Sequence, residues 1–193
     1  MTEIRKAGGT MEETKPSIFR TVFGMMISPA GALTGAFSNK WYLSAGVSAL
    51  AFGLFFVQTG LDLYKTGQKE MDFVLISAGA GIAYGLVMIP LLGAIMWAIL
   101  KAAKTDKSMM QAISAFCLSY SGALIYGLLG LAFSLALGWR TSVAFGVTGV
   151  LWAIGPMMFT IRRLAGGKNA LSVPLATAVG VIVLISWSVF GNL

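Results

Sequence analysis

Apolar residues in this chain come in long unbroken runs and do not alternate with polar ones. No Asp, Glu, Lys or Arg falls within 41–61, 73–100, 109–139, 141–161 or 170–193. Each window is long enough for an α-helix to cross roughly 30 Å of hydrocarbon at about 1.5 Å per residue. A long core helix of a soluble protein keeps a polar stripe, and these windows have no charged stripe. The pattern predicts an all-α, polytopic integral membrane protein. Its spans are expected at about 41–61, 73–100, 110–137, 142–161 and 172–190, forming a five-helix domain over 39–193.

The segments between the runs carry turn and cap signals. Asp72 and Ser108 stand where they can cap the second and third spans. Gly138-Trp139-Arg140-Thr141 is so short that spans three and four must form an antiparallel hairpin. Pro90 and Pro156 fall inside spans two and four as expected kink sites, and Pro174 is expected in the first turn of span five. Small residues recur at four-residue spacing in Ala45/Ala49/Gly53, Ser77/Gly81/Gly85 and Ala123/Gly127. Such rows let helices approach closely in lipid.

Residues 1–17 are polar and mixed in charge, which reads as a flexible cytoplasmic tail. They contain no apolar run of the kind a signal peptide needs. Residues 18–38 place Ile18, Phe19, Val22, Phe23 and Met26 at helical spacing after Ser17, a candidate N-cap. Pro29, Gly31 and Gly35 then oppose one continuous helix. The segment is either an interfacial amphipathic helix, docked through Phe19 and Phe23, or a sixth span.

Charge separates the two. With five spans, the N-terminal side carries Arg5, Lys6, Lys15, Arg20, Lys40, Lys101, Lys104, Lys107, Arg162, Arg163 and Lys168. The other side carries Lys65, Lys69 and Arg140, a ratio of 11 to 3. A sixth span at 18–38 would make it 7 to 7. The positive-inside rule favours five spans in the cell membrane, inner or plasma, with a cytoplasmic N-terminus and an external C-terminus. Segment 18–38 then lies at the inner interface. The net charge of +7 is accounted for by this topology and by anionic lipid head groups. Nucleic-acid binding is not expected, because no basic run is interleaved with aromatics outside the spans.

The chemical inventory of the spans is poor. They hold no ionisable Asp, Glu, Lys, Arg or His, which coupled carriers place near midplane. The chain has no histidine and one cysteine, Cys117, so no intramolecular disulfide can form. No serine has a histidine or carboxylate base nearby in its span. Asp62, Glu70 and Asp72 cluster in an outer loop and read as solvated. Gly166-Gly167-Lys168 lacks the flanking residues of a phosphate loop and reads as a turn. Neither a metal nor another cofactor is expected. Intramembrane hydroxyls do gather in span three at Ser114, Ser119, Tyr120 and Ser121, with Tyr84 in span two. They offer either a polar lining or hydrogen bonds between helices. Trp152, mid-span and away from both aromatic belts, is expected to pack against a neighbour. Gln58 and Thr59, near the outer end of span one, are read as meeting water.

Several features together resemble the Yip family, membrane proteins named for interaction with Ypt/Rab GTPases. A segment ending in Ile27-Ser28-Pro29 precedes span one. A basic loop leads into TDKSMMQAISAFCLSYSGALIYGLL, where Lys107-Ser108 and Tyr120-Ser121 occupy recurring positions. Trp152 and the loop GGKNALSVPLA resemble the start of the last hairpin. The short N-terminal region resembles prokaryotic relatives. The resemblance implies a five-span helical domain with a cytoplasmic N-terminus, and it names a fold better than a reaction.

The expected function is a non-enzymatic adaptor or organiser of membrane proteins or lipids. The alternative is a small transporter, channel or lipid-translocating subunit using the hydroxyls of span three. Expected partners are anionic lipid head groups at the cytoplasmic rim and other membrane proteins. The topology makes one direct prediction. Cysteines placed singly at Lys69 and Lys104 label from opposite sides of intact cells or spheroplasts, and labelling from one side would exclude five spans.

Overall fold

A computed structural model of the chain describes residues 17–102 and 104–191. The polar tail, apart from Ser17, lies outside the described residues. Seven helices follow in order: α1 (Ile18–Ile27), α2 (Pro29–Ser38), α3 (Trp41–Lys65), α4 (Asp72–Lys101), α5 (Met109–Leu137), α6 (Ser142–Leu164) and α7 (Asn169–Gly191). Helices α3 to α7 are each long and apolar enough to cross a membrane, which fits a multi-pass membrane protein.

Helix α3 is the centre of the bundle. Its most apolar stretch is 72% buried inside the protein, against 22% for that of α7. The small-residue rows explain how neighbours approach it. Gly81 and Gly85 of α4 lie on the α3 backbone at Phe52–Gly53 and Ser48–Ala49, and Gly60 of α3 lies on Val74 and Ser77. Gly127 of α5 rests on Leu54, and Gly149 of α6 rests on Ala123. Dispersion contacts and interhelical hydrogen bonds hold such seams, because lipid supplies no hydrophobic drive between helices.

Helix ends follow local chemistry. Ser17 accepts from the Arg20 amide, and Ser108 forms a reciprocal capping box with Gln111. Gly138 (φ 69°) closes α5, and Gly166 and Gly167 (φ 64° and 91°) turn the chain after α6. The left-handed region favours glycine because a Cβ is strained there. Asp72 sits in the first turn of α4 but makes no side-chain cap bond, contrary to expectation. Pro174 is not in the first turn of its helix either. Helix α7 starts at Asn169, so the proline stands inside it.

Three interior irregularities matter. Helix α4 makes a π-helical turn at Tyr84–Met88, just before Pro90. The wider turn accommodates the missing proline N–H, and Ser48 Oγ donates to the Gly85 carbonyl at 2.8 Å. Helix α5 is interrupted at Ser119–Tyr120. Helix α6 opens with a second π-helical turn at Ser142–Val147 and then carries Pro156 within a continuous helix.

The far end of α3 holds the spans in register. The helix runs past residue 61 to Lys65, so Asp62 is not a free loop residue. Its carboxylate accepts from the Thr141 amide (3.1 Å), the Ser142 amide (2.8 Å) and Ser142 Oγ (2.7 Å). Lys65 Nζ donates to Ser134 Oγ (2.6 Å) and to the Ser134 and Trp139 carbonyls (2.8 and 3.0 Å). Gln58 and Thr59 do not meet water. Both are buried, with Gln58 Nε2 donating to the Gly127 carbonyl and Thr59 Oγ1 accepting from Trp187 Nε1.

The seam between α3 and α4 predicts a sharp contrast between two glycines. A Cβ at Gly81 would fall 2.9 Å from Gly53 Cα, whereas one at Gly79 meets nothing within 4 Å. Gly81→Val is expected to cost roughly 1–3 kcal/mol, the usual penalty of overpacking. Gly79→Val is expected to be near neutral, and unfolding in detergent measures both.

Candidate functional site

The hydroxyls read as a cluster in span three are buried and turn to separate partners. Ser119, Tyr120 and Ser121 are fully buried. They point to different partners because they straddle the interruption of α5. Ser119 Oγ bonds the Ala115 carbonyl at 3.0 Å and shares a hydrogen bond of 3.3 Å with Thr160 of α6. Ser121 Oγ turns back to the Leu118 carbonyl at 2.6 Å. The Tyr120 ring packs edge-on to Phe52, and its hydroxyl has no hydrogen-bond partner among the described residues. Tyr84 also packs on Phe52, at 5.1 Å between ring centroids, so both tyrosines share that ring.

Ser114 has a different task. Its hydroxyl donates to the Ala36 carbonyl at 2.9 Å and shares a 2.6 Å bond with Ser44. Ser114 Oγ also lies 3.3 Å from the Asn39 carbonyl. One side chain of α5 thereby ties α3 to the end of α2. Asn39 adds to the joint by donating to Thr21 Oγ1 and to the Gly35 carbonyl.

These bonds define how α1 and α2 sit. The two helices form a short antiparallel hairpin, with Thr21 beside Asn39 and Gly24 against Ala32. The break at Ser28–Pro29 is the one that the proline and glycines foreshadow. Its backbone is largely satisfied: the Ser28 amide donates to the Gly24 carbonyl, and the Gly31 and Ala32 amides donate to the Ser28 carbonyl. The hairpin tip lies alongside the middle of α6, where Trp152 Nε1 donates to the Met26 carbonyl at 3.4 Å. Trp152 also packs on Tyr126 and over Gly122. Trp152 precedes Arg162 by ten positions, about 15 Å of helix.

The hairpin presents an apolar stripe outward. Phe19, Phe23 and Ile27 repeat at four-residue spacing and are 76%, 55% and 79% exposed. Thr21, Val22 and Met25, on the opposite face, are buried.

On its other flank the hairpin borders a groove. Two adjoining cavities of about 440 and 360 Å³ share Ala30 and Leu33 of α2 and Arg163 of α6. Lys107 closes one end, with its ammonium 5.9 Å from the Phe37 ring centroid and 3.1 Å from Asp106 Oδ2. The bond from Lys107 holds the exposed Asp106 carboxyl below the usual carboxylate range. Arg162 lines the other end, and its side chain makes no hydrogen bond or ion pair among the described residues. Sequence reasoning counted these cations for topology and did not place them against α2. Their spacing, from 107 to 162–163, gave no sign that the two loops share one face.

Among the described residues no three His, Cys, Asp or Glu side chains converge as a metal site would require. No family model, curated protein or solved structure matches the chain.

The Ser114 joint predicts a local effect. Ser114→Ala removes one buried hydroxyl shared by α2, α3 and α5, worth about 1 kcal/mol. Amide exchange over residues 29–39 should rise about fivefold on that figure. Thr66→Ala, which deletes an exposed hydroxyl bonded only to the Asp62 and Leu63 carbonyls at the other end of α3, should leave those amides unchanged.

Proposed function

We propose that this chain is a Yip-like multi-pass membrane protein that organises membrane proteins or lipids without catalysing a reaction. On this reading α3 to α7 cross the cell membrane, and the ends bearing Lys40, Lys101 and Arg162 face the cytoplasm. The hairpin α1–α2 then enters the membrane from the cytoplasmic side as a re-entrant element. Its Phe19–Phe23–Ile27 stripe faces lipid, in place of a helix lying flat on the surface. Irregular backbone at membrane depth is tolerated where protein covers it and its polar groups are paired. The bonds around Ser28 and from Trp152 meet that condition.

The observation that carries the proposal is the fate of the span-three hydroxyls. A conduction path needs polar groups that water or substrate can reach, and Ser119, Tyr120 and Ser121 have no exposure. Two of them bond within or between helices. What stays exposed is apolar helix surface and a cationic rim, which suit membrane partners and anionic lipids. The chain's inventory also lacks a nucleophile–base pair or a tuned acid within the spans.

A transporter or lipid-translocating role draws on two features, the interruption of α5 and the unpartnered Tyr120 hydroxyl. Broken helices mark the binding sites of many carriers. Reconstitution decides between the readings. Liposomes containing the purified protein should show no protein-dependent flux of ions, small solutes or labelled lipid. Robust flux that Ser119→Ala or Tyr120→Phe reduces would replace the organiser by a transporter.

A further inference from the structure

We propose that the groove between α2 and the ends of α5 and α6 binds the head group of an anionic phospholipid. The inference rests on the membrane reading above and adds to it a located site and a ligand class. Three cations from two separate places in the sequence face this groove: Lys107, and Arg162 with Arg163. Asp106 is the carboxylate beside them. It pairs with Lys107 and also faces Arg163 electrostatically, which leaves a positive surplus. Guanidinium groups present forked donors that fit phosphate oxygens. Arg163 borders both cavities, so a phosphate beside it would also lie near Lys107 and Gln111 on one side and Arg162 on the other.

The walls identify the rest of the ligand. Leu33 and Phe37 line the groove under the cations, and Ala30 and Phe159 continue it toward the hairpin tip. Phe159 lies four positions before Arg163, one helical turn deeper into the bundle. Ala30 is in the first turn of α2, next to the break that Trp152 holds at mid-helix depth. A soluble anion would use the cationic end and leave this apolar wall bare. An amphiphile would fill both, with its phosphate at Arg163 and an acyl chain along Phe159 and Ala30. The cavities together suit a head group and not a whole lipid, so the chains would remain in the bilayer.

The test is native mass spectrometry of the full-length protein released from nanodiscs containing equal phosphatidylglycerol and phosphatidylcholine. Wild type should retain phosphatidylglycerol in preference. Arg162→Gln with Arg163→Gln should lower that retention by about fivefold for each charge, using about 1 kcal/mol per cation near an anionic surface. Ala30→Trp alters no charge and fills the shared wall, so it should lower retention as well. Lys40→Gln, on the same rim but outside the groove, should not. Equal retention of the two lipids would overturn the site. So would a loss in Lys40→Gln matching that of the double variant, which would mean a diffuse charge effect. Displacement of the lipid by excess inorganic phosphate would reassign the groove to a soluble anion. Carbonate extraction of the same protein from membranes reports embedding separately. Release into the soluble fraction would refute the membrane reading itself, whereas retention without lipid preference would refute the groove alone.

Discussion

Asp62 and Lys65 stand three residues apart at the end of α3, close to one face of the helix. One carboxylate takes the free amides that open α6, and one ammonium takes the Ser134 carbonyl in the last turn of α5 and the Trp139 carbonyl just beyond it. Every helix end leaves such groups unpaired, and the partial charges there favour an anion at the start and a cation at the finish. A single turn of the central helix therefore caps two neighbours with the sign that each requires. Because both ends belong to the tight turn around Gly138, the clamp also fixes the α5–α6 hairpin against α3. The seams of Gly127 on Leu54 and Gly149 on Ala123 share this register, since each of these glycines has a particular neighbour opposite it.

The five long helices were legible because their signal is local. Absence of charge over twenty or more positions can be read without knowing what lies beside the helix. The glycine and serine rows were legible for the same reason, and Ser77/Gly81/Gly85 does meet Ala49/Gly53. What escaped was pairing across the chain. Asp62 and Lys65 looked like loop charges because their partners lie 69 to 80 positions away. Gln58 looked like a residue near water because its acceptor, the Gly127 carbonyl, is equally distant in sequence. In a membrane bundle, a polar side chain near a helix end is as apt to cap a neighbour as to meet solvent. Composition alone does not separate the two.

The segment before α3 shows a different limit. Pro29, Gly31 and Gly35 announced a break but not its purpose. The break lets two ten-residue helices fold back on each other, and a proline at the start of α2 costs no hydrogen bond there. Serines and a tryptophan from three other helices then fix the hairpin: Ser44, Ser114 and Trp152. The hydroxyls of span three were read as one candidate cluster because they are adjacent in sequence. The interruption at Ser119–Tyr120 turns them in different directions, so adjacency along the chain does not become adjacency in space.

The two ends of the bundle use charge differently. At the α3 clamp, Asp62 and Lys65 are committed to helix ends and have little left to offer a ligand. Lys69, at that end, lies 5.1 Å from the Phe73 ring centroid. At the opposite end Arg162 is uncommitted among the described residues, and Arg163 opens onto two cavities beside α2. A cationic excess on one side is what membrane topology demands of any such chain. Here the same residues are also gathered against the hairpin, above an apolar wall. Topology requires that cations be on that side, but it does not require that they converge. Their convergence on α2 is the observation on which the proposed lipid site rests, whereas the hydroxyls at the centre of the bundle are buried.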